Sequence, residues 1–189
     1  LQQVNGIERQ FAINHLGHFV LINQLLERVT AAEQGRFVIL SSRAHRRAPE
    51  VGIEFDNLSG KRNYEPWRAY GHSKLANALC ALELTRRLQG TTATANSLHP
   101  GVINTNLGRN LPWWQRVLGS LVGWTFMKSV EEGAATTCYV ATHPSLAEVS
   151  GHYFSDCNPA DDGGHLVDEA MAAKLWAVSE DLTRDYLPG

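Results

Sequence analysis

The sequence predicts an α/β fold in which a parallel sheet of about three strands is flanked by helices. Three observations carry that expectation. Short apolar runs alternate with longer segments of helical spacing, the order expected of βαβ units. The strongest run, Arg36-Phe37-Val38-Ile39-Leu40-Ser41, is continuous rather than alternating, as in parallel strands covered on both faces. Small and polar residues gather where two strands end, at Ser41-Ser42 and His99-Pro100-Gly101, and open parallel sheets bind ligands off those ends.

The elements follow in order. Residues 6–29 read as a helix with Phe19, Ile22, Leu26 and Val29 on one stripe; Phe11, Leu16 and Val20 widen it, which predicts packing on two sides. The strand at 36–41 comes next. Residues 43–66 are polar and broken by Pro49, Gly52, Gly60 and Pro66, a long loop of the kind that usually carries function or moves. Helical spacing returns over 67–88, with Leu75, Leu79 and Leu82 on one face, Arg86 and Arg87 near the end, and Gly90 closing it. A second strand is expected at 91–98. Residues 111–127 set Trp113, Trp114, Trp124 and Phe126 among apolar neighbours. A helix over 129–143 carries Glu131 and Glu132 in its first turn, where the helix dipole favours them. A third strand at 151–155 and a helix over 168–186, with Met171, Leu175, Val178 and Leu182 on one face, complete the chain.

Composition narrows the function classes. With 43% hydrophobic and 19% charged residues among 189, wholesale disorder is excluded and one domain, or part of one, is expected. A net charge of −2 offers no basic surface for nucleic acid. Cys80, Cys138 and Cys157 form no CxxC pair and read as free thiols of a reducing compartment. His15 and His18 stand at i, i+3 without a third ligand of zinc-like spacing, so no metal is expected.

One spacing points to chemistry. Tyr70-Gly71-His72-Ser73-Lys74 puts Tyr70 and Lys74 at i, i+4 on one helix face. An ammonium about 5 Å from a phenol, at an effective dielectric near 20, is worth roughly 3 kcal/mol, enough to lower its pKa from about 10 by about two. The expectation is a tyrosine able to exchange protons near neutral pH. Alone the pair is weak, because five tyrosines and a few lysines produce Y-x-x-x-K by chance in about one such chain in ten. A solvated helix face is the plain alternative.

The company it keeps is specific. Asn14 in FAINHLGHF, Ser42 at a strand end, the Tyr70/Lys74 helix and PGVINT at 100–105 occur in this order. So do ILSSRAH, YGHSKLANAL, SLHPGVINTNL, KSVEEGAATT and GHYFSDC. In these segments the chain resembles the short-chain dehydrogenase/reductase superfamily, and within it the retinol-dehydrogenase-like and WW-domain oxidoreductase-like branch. The 27 residues between Ser42 and Tyr70 resemble an insertion of that branch. The resemblance implies that Tyr70 exchanges a proton with a substrate oxygen held by Ser42, while hydride passes to or from a nicotinamide. It implies that Lys74 lowers the Tyr70 pKa and binds the nicotinamide ribose, and that Asn14 anchors a water beside Lys74. Pro100, Gly101 and Ile103 would lie against the nicotinamide, with Thr105 near the carboxamide or pyrophosphate. NADP(H) is favoured over NAD(H). An apolar alcohol or carbonyl, such as a retinoid, steroid or lipid aldehyde, is the expected substrate, with the tryptophans of 111–127 near it. Those tryptophans equally suit a core edge, a membrane surface or a partner.

The resemblance also exposes a gap. The family's glycine-rich T-G-x-x-x-G-x-G turn and N-N-A-G string are not among the 189 residues, and the chain opens Leu1-Gln2-Gln3-Val4. The expectation is the C-terminal part of a Rossmann-type sheet, a partial domain inactive by itself, whose 37–40 strand has an unpaired edge. Location, intracellular and either cytoplasmic or membrane-associated, and self-association stay open. Two other readings compete. One is a non-catalytic interaction module derived from a dehydrogenase. The other is a serine hydrolase, since Gly71-His72-Ser73 begins a nucleophile-elbow pattern that Leu75 breaks.

Overall fold

The computed structural model describes residues 1–101, 129–160 and 163–188. Its first element is a hairpin, β1 (Gln3–Val4) and β2 (Ile7–Glu8), turned at Asn5 and Gly6 with φ of 49° and 81°. Asn-Gly is a strong signal for a two-residue hairpin turn, and it overrides the helix expected from residue 6. Glu8 then caps α1 (Arg9–Phe11), its carboxylate accepting the Phe11 N–H at 2.9 Å. A π-helical stretch at Ala12–Leu16 and α2 (Gly17–Thr30) continue the same rod. Phe19 and Ile22 are buried as expected, but Ile13, Leu21 and Leu25 are 58%, 55% and 41% exposed. The rod therefore packs on one side, not two.

β3 (Arg36–Leu40), β4 (Thr94–His99) and β5 (Tyr153–Ser155) form a parallel sheet. Phe37 stands opposite Ala95, Leu40 opposite Leu98, and Ser97 opposite Tyr153. A short antiparallel β6 (Asn158–Pro159) follows β5, giving the order β3-β4-β5-β6. β3 is an edge strand among the described residues, as the sequence predicts. Its two faces are unequally covered: Phe37 and Ile39 are buried, whereas Leu40 is 42% exposed. The arrangement is that of part of a Rossmann-type sheet.

α3 (Pro66–Arg87) is the central helix. Pro66, expected to break a loop, instead begins it, because proline at the first helical position loses no intrahelical bond. Glu65 caps it by accepting the N–H groups of Trp67 and Arg68 at 3.0 and 2.6 Å. Every residue from Gly71 to Ala81 is buried. Leu75 and Leu79 join Phe11, Leu16, Ile53, Leu58 and Leu175 in one apolar cluster; Ala81 and Leu84 join Phe19, Phe37, Ile39 and Trp176 in another. Burying each large aliphatic or aromatic side chain contributes about 1.5–3 kcal/mol. α4 (Val130–Thr142) packs on the opposite face, where Val140 meets Leu98 and Phe154. Its N-terminus carries a capping box between Ser129 and Glu132. α5 (Glu169–Thr183), capped by Asp168, lies against α3. The long loop 43–66 is anchored by its own core residues, Ile53 and Leu58.

Candidate active site

Three elements converge at the carboxyl end of β3. Ser42 follows that strand with extended backbone, φ −167° and ψ 153°, and begins a 3-10 turn over Arg43–Arg47. Its hydroxyl accepts the Ala44 N–H at 3.2 Å and is hydrogen-bonded to the Tyr70 side chain. α3 can press this close to the turn because position 71 is glycine. A Cβ there would lie 2.9 Å from both Ala48 N and Arg47 C, and nearer still to the Ala44 carbonyl oxygen.

Tyr70 and Lys74 share a face of α3, as the spacing predicts, with the Lys74 amine 5.7 Å from the centre of the tyrosine ring. The electrostatics differ from the expectation. Burial pushes the Tyr70 phenol above the ordinary tyrosine value, and the Ser42 hydrogen bond offsets part of that. Burial also holds the Lys74 amine below the usual lysine range. The amine donates to the Leu40 carbonyl at 3.1 Å. The Coulomb argument omitted desolvation, which here disfavours the charged forms of both groups.

Asn14 reaches the same helix by another route. The π-helical stretch, closed by the Gly17 N–H on the Ala12 carbonyl, adds a residue to the turn and leaves His15 and Leu16 both buried. Asn14 donates its amide to the Ser73 hydroxyl at 3.1 Å, and Ser73 donates to the Tyr70 carbonyl at 2.8 Å. Ser73 is fully buried and committed to these bonds, which removes the nucleophile that a serine hydrolase requires.

Pro100 and Gly101 leave the end of β4, next to β3, with Gly101 at φ 96°. Ile103, Thr105 and the tryptophans of 111–127 lie outside the described residues. Ser41, Asn77 and His15 have a place here that sequence reasoning missed. Ser41 ties the strand end to α3 by donating to the Lys74 carbonyl at 2.8 Å. The signals were present: Ser41 is half of a serine pair, and Asn77 follows Lys74 by three positions on the Tyr70 face.

Comparison with known proteins supplies the family. No family model matches the chain. Over 178 residues it is 43% identical to retinol dehydrogenase 14 from Homo sapiens, covering 93% of this chain and 52% of that protein. It is 44% identical over 182 residues to short-chain dehydrogenase TIC 32 A, chloroplastic, from Brassica napus, covering 93% of this chain and 57% of that one. The crystal structure of an uncharacterised protein from Mycobacterium paratuberculosis superposes with a TM-score of 0.73 at 34% identity, covering all of this chain and 63% of that one. Over 93% of its length the chain is similar to short-chain dehydrogenases. The chain spans about half the length of the curated relatives it matches. Among its described residues no helix is long and apolar enough to cross a membrane.

Proposed function

We propose that this chain carries the catalytic residues of an NAD(P)-dependent oxidoreductase that interconverts an alcohol and a carbonyl on an apolar substrate. The observation that carries the reading is the Ser42–Tyr70 hydroxyl pair, with the Lys74 amine over the tyrosine ring at the carboxyl end of a parallel strand. Tyr70 exchanges a proton with the substrate oxygen, and Ser42 fixes that oxygen by a hydrogen bond. A phenol kept protonated by burial is ready to donate as an alkoxide develops, the reductive direction. The Lys74 ammonium then stabilises the phenolate left behind. Asn14, its amide committed to Ser73, orders a water beside Lys74 through its carbonyl oxygen. Relatives named retinol dehydrogenases favour an apolar alcohol or aldehyde of retinoid type.

A bound nicotinamide would supply the hydride. Its end of the dinucleotide fits the residues present. Lys74, beside Tyr70, would hold the ribose, Pro100, Gly101 and Ile103 the ring, and Thr105 the carboxamide or pyrophosphate, with Gly101 at φ 96° presenting no Cβ. The glycine-rich turn that grips a pyrophosphate is not among the 189 residues, so we read them as the catalytic part of a partial Rossmann-type domain. NADP(H) is assigned ahead of NAD(H).

The test is reduction of all-trans-retinal by NADPH, followed by absorbance, with the natural protein that carries this chain. Tyr70→Phe is expected to lower kcat by about 100-fold or more. A folded Tyr70→Phe protein with wild-type turnover would overturn the assignment.

A further inference from the structure

Behind Lys74 lies a buried polar chain that the proposed reaction does not use. Asn77 is 1% exposed and stands on the same face of α3 as Lys74. Its amide donates to the Leu40 carbonyl at 3.0 Å, the oxygen that also receives the Lys74 amine at 3.1 Å. The β4 ladder passes through the next residue, where the Ser41 N–H donates to Leu98 at 2.8 Å. Successive residues of a strand direct their hydrogen-bonding groups to opposite edges, so the Leu40 carbonyl points away from β4. Among the described residues, its donors both come from α3.

His15 fixes the other end of Asn77. It is 1% exposed, with Nε2 2.8 Å from the Ser179 hydroxyl on α5, and its ring is hydrogen-bonded to the Asn77 side chain. Burial pushes its pKa down to about 3, so the imidazole is neutral, with one nitrogen donating and the other accepting. The Asn77 NH2 group is on the Leu40 carbonyl, so its oxygen is the end left to accept from the ring, and the ring is the donor. A buried amide held at both ends has one orientation.

We propose that Asn77, oriented by His15, is a positioning residue for Lys74: it holds the Leu40 carbonyl on which the amine is seated. The inference rests on the reading of Lys74 as the group that stabilises the Tyr70 phenolate.

The natural protein carrying this chain is labelled with a trace of acetic anhydride, and the acylation of Lys74 is compared with that of exposed Lys61. Asn77→Leu keeps the volume and removes both hydrogen bonds. It is expected to raise relative Lys74 labelling about fivefold and lower kcat about tenfold, with substrate KM within about twofold. Ser179→Ala removes one oxygen beside His15 and should give a smaller change in the same direction. Leu175→Ala, a core truncation on the same helix as Ser179, should lower Tm without changing Lys74 labelling.

Wild-type labelling in both Asn77→Leu and Ser179→Ala overturns the proposal. A rise in Asn77→Leu alone overturns the part given to His15. If Asn77→Leu does not fold, Ser179→Ala decides by the same readout. Tyr70→Phe separates the two readings: an active Tyr70→Phe protein sinks the proposed function, whereas labelling still reports how Lys74 is seated.

Discussion

Asn14 and Ser73, 59 positions apart, are joined by a 3.1 Å hydrogen bond that fastens the π-helical stretch to the middle of α3. Ser73 passes the connection on to the backbone of Tyr70. Ser73→Ala loses both bonds in a fully buried place and should cost about 1–3 kcal/mol of stability. It should lower turnover less than about tenfold, because the hydroxyl touches no reacting atom. Denaturant unfolding and steady-state kinetics measure the two effects; complete loss of turnover in a stably folded variant would return Ser73 to a catalytic role.

Gly71 sets the distance between α3 and the Ser42 turn. A methyl group there meets the backbone of Ala44 to Ala48, which has no flexible end to yield. Gly71→Ala should cost about 1–3 kcal/mol and part Ser42 from Tyr70, lowering kcat by about tenfold or more. A variant with unchanged melting temperature and turnover would show that the close approach is dispensable.

Two buried histidines make the fold sensitive to acid. Burial lowers His15 to about 3 and His72, whose Nε2 accepts the Glu54 N–H, to about 4, from an ordinary 6.5. The folded state thus binds fewer protons than the unfolded chain. Their contribution is fully present above pH 6.5 and is lost as pH falls through the folded values. At full slope each histidine costs about 1.4 kcal/mol per pH unit. Urea unfolding at pH 7, 6 and 5 should show a steep fall, and His72→Gln should remove about half of it. A flat profile over that range would contradict the burial of both rings.

The absence of a glycine-rich turn from these 189 residues has a direct consequence for ligand binding. The 189-residue polypeptide should bind NADPH no more tightly than about millimolar, since the residues proposed above would hold the nicotinamide end and leave the pyrophosphate without a glycine-rich turn. Fluorescence titration tests this, and a micromolar Kd would mean that the dinucleotide is gripped by other means.

Much of the architecture was legible because hydrophobic period reports burial. The run 36–40, the stripe of 67–88 and the two later helices all form within a few residues of their expected limits. The misses have particular causes. Asn5-Gly6 was a turn signal outweighed by an apolar stripe that continued past it. The π turn at 12–16 has no period of its own. Packing on two sides is expected of residues 6–29, yet Leu21 and Leu25 are exposed, because periodicity marks a face as apolar without saying what covers it.

The sequence by itself determined the order of elements, the pairing of Tyr70 with Lys74 on one helix face, and the serine at a strand's end. These depend on local periods of the backbone, which any short window contains. Tertiary structure alone decided how the groups are charged and held: the depth that raises the phenol and lowers the amine, the glycine contact that brings Ser42 to Tyr70, and the Leu40 carbonyl shared by Lys74 and Asn77. Desolvation and hydrogen bonding across 30 or more positions are properties of packed neighbours, and no spacing along the chain encodes them.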